Sequence, residues 1–296
     1  MAKRPRKGMA ALGIDMGFHL TNYLDAAIIL GPHDRNIVAA SIDSLRRHVV
    51  NLRKIYVVCE DTPALSGIIH IPESAYPFSR ADVTSISGSQ ERAGWYLQQL
   101  LKLYFTSIVP GALDRVLVSD ADTIFLRNCK FVSRSTVRFA TGTEHHAPYF
   151  AHMARLHPSL RRQHANMSGI AHCMTFDRHR VKELFALVEQ KTGKPFWRRF
   201  LEEVDPQFKE TSGASEYEIY FNFMRANYPK EAKPYPFRWR NTVNLSNLRQ
   251  GDCHYISLHW HSRETPYTAA DVAEALKNTP RLSWTSRIRK IGRAHV

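Results

Sequence analysis

Long apolar runs are missing from this 296-residue chain. The best, such as Ala26 to Leu30, fall far short of the roughly 18 residues that a membrane-spanning helix needs. Cysteine is scarce, and Cys59, Cys129, Cys173 and Cys253 lie far apart with no CxxC spacing, which argues against a zinc cluster. The basic start has no apolar stretch of signal-peptide length before Asp15, so a soluble or peripheral protein with reduced thiols in the cytoplasm is expected. No internal repeat or low-complexity linker divides the chain, which points to one continuous domain. Apolar residues at 44% and charged residues at 23% exclude a disordered or collagen-like chain.

Acids are absent from both ends. Residues 1–8 hold Lys3, Arg4, Arg6 and Lys7, and residues 281–296 hold Arg281, Arg287, Arg289, Lys290 and Arg293. Nine of the 41 Lys and Arg residues therefore sit in the tails, leaving 32 bases against 27 acids in the body. Such tails suit an anionic surface, whether phospholipid membrane, nucleic acid or polyanionic glycan, or simply keep the ends in solution. The final Ile291-Gly292-Arg293-Ala294-His295-Val296 matches the translation of a common sequencing adapter, and no function is read from it.

What is present alternates between strand and helix. Asp25–Leu30, Lys54–Cys59, Ile68–Ile71 and Arg115–Val118 read as short buried strands, ended by Gly31-Pro32 and Pro72 in two cases. Ile37–Val49 and Gln90–Ile108 carry helical spacing, the second closed by Pro110. This order predicts an α/β fold with a mostly parallel central sheet flanked by helices. The second half is less regular: strands are expected over 137–141, 170–176 and 253–258, and helices over 178–191, 195–204 and 215–227.

The strongest chemical signal is Asp120-Ala121-Asp122, directly after the strand Val116-Leu117-Val118. Open α/β sheets bind ligands beyond the carboxyl ends of their strands. Two carboxylates one residue apart can converge there on Mg²⁺ or Mn²⁺, which completes its shell with water and phosphate oxygens. A solvated turn gives the same spacing by chance. On the preceding helix, Trp95, Gln98, Gln99 and Lys102 fall at i, i+3, i+4 and i+7, so they share a face. Amides and an ammonium in one stripe suit ribose hydroxyls and phosphate oxygens, although an ordinary solvated face looks alike.

The strand–Asp-x-Asp–apolar element resembles the metal site of glycosyltransferases with the GT-A fold. With the run Glu91-Arg92-Ala93-Gly94-Trp95-Tyr96-Leu97-Gln98-Gln99 and the later Ser215-Glu216-Tyr217-Glu218, it resembles a bacterial and viral family of such enzymes over most of residues 25–262. The resemblance implies a GT-A-like catalytic domain over 21–265, between a basic tail over 1–20 and a helix with a basic tail over 266–296. It implies a nucleoside-diphosphate sugar donor, a glycan, lipid or protein hydroxyl acceptor, and no nucleic acid. Asp120 and Asp122 would hold Mn²⁺ or Mg²⁺, joined by a late histidine for which His259 matches best and His261 next. Arg92, Gln98, Gln99 and Lys102 would bind the donor. Glu216 would be the base toward the acceptor if the reaction inverts configuration, or would orient or stabilise the donor if it retains it.

Other roles stay open at this level. Ser215 and Glu218 fit a capping box, which accounts for Glu218 structurally, and Glu216 could serve the helix dipole. Asp34, after the first strand, could accept from a base or ribose or could cap a helix. His172 could line the substrate site or sit satisfied in the core. Metal-dependent nucleotidyl or phosphoryl transfer on a polyanion would use the same aspartates. A glycan- or lipid-binding module would keep the fold without turnover.

Overall fold

Two central strands are apolar enough to be buried on both faces, and they organise the molecule. The computed structural model describes residues 22–248, 253–259 and 266–278. Strands β1 (Leu24–Ile29), β2 (Leu52–Cys59), β3 (Ile69–Pro72) and β4 (Arg115–Asp120) join β8 (Cys173–Asp177) in one sheet of order β3-β2-β1-β4-β8. The first four run parallel, and β8 is antiparallel to β4. The period-2 alternation of β1 divides the core. Ala26 and Ile28 pack toward helix α1 (Val38–His48), while Ala27 and Ile29 pack toward the opposite helical layer.

That layer contains α2 (Arg80–Ser87), α3 (Ala93–Ile108), α4 (Ala147–Leu156), α5 (Arg178–Thr192), α6 (Phe196–Glu202) and α7 (Glu216–Asn227). Helices α2 and α4 go beyond the sequence reading. Helix α2 is short and begins with a full capping box, in which Ser79 and Asp82 satisfy each other's amides. Helix α4 starts with Pro148 in its first turn and buries Tyr149, His152, Met153 and Leu156 at helical spacing. Helix α3 begins at Ala93 rather than Gln90, because the Arg92 amide donates to Ser89 Oγ and the chain is still turning there.

Two smaller sheets complete the fold. Strand β5 (Thr123–Phe125) leaves β4 after two residues and pairs antiparallel with β11 (Tyr255–Ser257), which lies parallel to β10 (Trp239–Asn241). Strands β6 (Val132–Ser133), β7 (Thr136–Phe139) and β9 (Ala232–Pro234) form the other. Helix α8 (Ala269–Asn278) follows, and its Val272 joins a small core with Ile124 and Ile256. No described helix is long and apolar enough to cross a membrane. The basic residues of 1–8 and 281–296 lie outside the described residues, as does His261.

At the amino ends of the strands the sheet holds one buried charge, Asp25, which is fully inaccessible. Arg53 grips it with Nε at 2.9 Å and a second nitrogen at 2.6 Å, and the amides of Lys54 and Leu113 donate at 3.1 and 2.8 Å. This bidentate, fully bonded carboxylate ties β1, β2 and the turn before β4 together.

Candidate active site

Asp120 ends β4 beside Ile29 of β1, at the carboxyl edge of the parallel sheet. Beyond this edge opens a cleft of about 1360 Å³. Both Asp120 and Asp122 line it. The turn between them is held on both sides. The Asp120 amide donates to the His172 carbonyl at 2.9 Å, and the Asp122 carbonyl accepts from the Leu258 amide at 3.0 Å. Ser257 Oγ donates to Asp122 Oδ1 at 3.1 Å. The early acidic pair is thus built against the late strand β11.

Lys102 comes from α3 and is buried among these acids. Its Nζ lies 2.6 Å from Asp120 Oδ1 and 2.7 Å from Glu216 Oε1, and 4.5 Å above the Tyr217 ring. Tyr217 also donates its hydroxyl to Asp120 Oδ1 at 3.1 Å. Burial opposes the charge on Lys102, but Asp120 and Glu216 outweigh it and raise the ammonium above its ordinary range. Burial likewise opposes the Asp120 carboxylate, and Lys102 and His172 more than reverse this, holding it well below the usual carboxylate range.

His172 approaches from the other side. Its Nδ1 lies 3.2 Å from Asp120 Oδ2, and its ring meets Trp239 edge-on at 5.0 Å between centroids. Burial works against protonation of the ring, but the hydrogen bond and charge of Asp120 leave it raised overall. The backbone at His172 has φ 59°, a left-handed conformation that costs a non-glycine residue about 1 kcal/mol.

Ligand atoms of Asp120, Asp122 and His172 all fall within 4.8 Å of one another. Two hard carboxylates and an imidazole nitrogen suit Mn²⁺ or Mg²⁺. The charge also fits: Asp120, Asp122 and Glu216 face one ammonium, an excess of negative charge that a divalent cation offsets. His259 lines the same cleft, with its ring 6.3 Å from that of His172, but it lies outside this three-residue group. The histidine grouped with the two aspartates is His172, and the expected His259 faces the same cleft. The loop before β8 carries His172 directly across from Asp120.

Most of the other expected residues converge here. Asp34, Arg92, Gln98 and Glu216 all line the cleft. Asp34 sits in a 3-10 turn and does not cap α1, whose N-cap position is Ile37. Arg92 donates to the Thr211 carbonyl at 2.7 Å and lies 4.3 Å above the Trp95 ring. Gln99 departs from the expected stripe. It is buried, absent from the cleft lining, and its Oε1 accepts the Glu216 amide at 3.0 Å. Because α7 packs against α3, this side of the helix belongs to the core. The expected capping box is half made: Ser215 Oγ accepts the Glu218 amide at 3.3 Å, but the Glu218 carboxylate turns to Ser168 and Asn222.

The sequence reading missed Trp239, Asn241 and Tyr149, which also line the cleft. Trp239 donates Nε1 to the Thr141 carbonyl at 3.0 Å and stacks on Tyr255. It belongs to a three-residue strand with no periodicity to reveal it. Tyr149 could have been found from its place on the apolar stripe of α4.

The chain matches no protein-family model and no curated protein. It is similar to the apo crystal structure of mouse xyloside xylosyltransferase 1, at 11% identity and a TM-score of 0.47, over 82% of this chain and 99% of that one. It is also similar to apo WbbM, a bifunctional glycosyltransferase, at 13% identity and a TM-score of 0.45, over 91% of this chain and 51% of that one. Both scores lie below 0.5, too low to assign a fold family or an activity.

Proposed function

We propose that the chain is a GT-A-like, metal-dependent glycosyltransferase that moves a sugar from a nucleoside diphosphate to a hydroxyl acceptor. The convergence of Asp120, Asp122 and His172 beneath a large cleft at the carboxyl edge of the sheet carries this reading. Those three residues would hold Mn²⁺ or Mg²⁺, with His259 facing the same space. When bound, the cation neutralises charge that develops on the departing diphosphate.

The chain's own groups supply the rest. Lys102 presents a buried ammonium beside the diphosphate position, and Arg92 and Gln98 offer donors along the same wall. Asp34, at the end of β1, accepts from the nucleoside. As the anomeric carbon bonds to the acceptor oxygen, its bond to the diphosphate breaks and the electron pair leaves with the phosphate. Glu216 takes the acceptor's proton. Gln99 holds the Glu216 amide and so fixes the start of α7.

The lining weighs against a polyanionic substrate. It contains ten carboxylates and four Lys or Arg residues, which repel a nucleic acid backbone. The basic tails offer a separate contact with anionic membrane, read by binding to phosphatidylserine vesicles. The four free cysteines accord with a reducing, cytoplasmic setting.

The test is a thermal-shift panel of UDP-, GDP- and CDP-sugars with and without Mn²⁺, followed by donor turnover. One donor should raise the melting temperature only with the cation, because a ligand that binds the native state stabilises it by mass action. A shift that ignores the cation overturns the metal-dependent reading.

A further inference from the structure

The left-handed backbone that aims His172 at Asp120 needs an anchor, and the preceding loop is clamped from two sides. Ser168 exchanges main-chain hydrogen bonds with Gly142, both at 2.9 Å. A Cβ on Gly142 would stand 2.6 Å from the Ile170 carbonyl oxygen. Opposite, a Cβ on Gly169 would stand 2.6 Å from Phe221 Cβ and 2.7 Å from the Tyr217 carbonyl oxygen. Only glycine permits these two approaches.

Between the loop and α7 lies a buried polar knot. Ser168 Oγ donates to Glu218 Oε1 at 2.5 Å and accepts the Ile170 amide at 3.1 Å. Asn222 Nδ2 donates to Glu218 Oε2 at 2.9 Å. Glu218 is 1% exposed and is not part of the cleft lining. A carboxylate buried against a hydroxyl and an amide is costly to keep, and this one takes no part in the helix cap that would explain it.

We propose that Glu218 is a positioning residue: through Ser168 it fixes the loop that sets His172 against Asp120, and so raises the divalent-cation affinity of a site it does not touch. This rests on the metal reading above. Groups hydrogen-bonded directly to metal-ligating histidines typically change affinity about 10–100-fold, and Glu218 acts further out, through Ser168 and the loop.

The experiment uses the full chain with ¹⁵N-labelled histidine and two measurements. In the metal-free protein, the His172 Nδ1 resonance, assigned by its loss in His172→Ala, reports the bond to Asp120. Ser168→Ala should move it toward the free imidazole value, while Glu218→Gln, which keeps an acceptor for Ser168, should move it less. An unmoved resonance in Ser168→Ala overturns the proposal. In Mn²⁺ titrations read by electron paramagnetic resonance, Ser168→Ala should bind about tenfold more weakly. The double variant Ser168→Ala/His172→Ala should bind no worse than His172→Ala alone. Additive losses overturn the proposal. If the unaltered chain binds no Mn²⁺, the metal reading fails and the imidazole resonance alone decides on the anchor. If Ser168→Ala does not fold, Glu218→Asp, with its shorter reach to Ser168, takes its place in both measurements.

Discussion

Two aspartates on neighbouring strands, Asp25 buried and Asp120 half-buried, sit at opposite ends of the sheet and are satisfied in different ways. Asp25, at the amino end, takes two main-chain amides and one bidentate arginine. Its environment is complete and closed. Asp120, at the carboxyl end, takes an ammonium, a phenol and an imidazole, all from side chains, and borders the cleft. Main-chain donors are fixed by the fold, whereas side-chain donors can move when a ligand arrives. The first arrangement holds strands together, and the second keeps charge available to a partner.

Four substitutions can break or sharpen this contrast. Asp122→Ala should have the largest effect, lowering cation-dependent donor turnover about 10³-fold, or about 4 kcal/mol of barrier, against a stability loss of only about 1 kcal/mol for its bond from Ser257. Unchanged turnover would end the functional reading of the carboxyl edge. Lys102→Met should destabilise the metal-free chain by about 3 kcal/mol, since it strands the buried Glu216 and half-buried Asp120 carboxylates, and Mn²⁺ should restore more stability than it adds to the unaltered protein. Calorimetry with and without cation reads both. Asp25→Asn should cost about 2 kcal/mol by loss of charged hydrogen bonds, with the Mn²⁺-induced shift unchanged. If that shift vanished, the two ends would not be independent. Trp239→Phe should be mildest, costing about 1 kcal/mol for its bond to Thr141 and raising the donor KM a few-fold through the His172 ring. Denaturant melts and steady-state kinetics separate the two losses.

The same contrast marks what could be read from the chain. Strands β1, β2 and β4 and helix α3 announce themselves through apolar runs and helical spacing, because local burial dictates their composition. The acidic pair follows at once from its place after β4. Helices α2 and α4 carried readable signals in Ser79-x-x-Asp82 and in the stripe Tyr149, His152, Met153, Leu156. His172 was a candidate for the site, but its place against Asp120 was not legible. One histidine among fifteen, in a loop without periodicity, gains meaning only when β8 lies beside β4. Gln99 shows the reverse failure, since spacing puts it with Gln98 and Lys102 but cannot tell which flank of a helix meets a neighbour.

The dependence of Asp122 on Ser257 and Leu258 has a consequence for biogenesis. These partners are separated by 135 residues. At about 5–20 residues per second, a ribosome exposes the acidic turn roughly 7–27 seconds before the segment that secures it. The growing chain can form its parallel strands during that interval, but the corner beside the cleft is finished only after β11 has emerged.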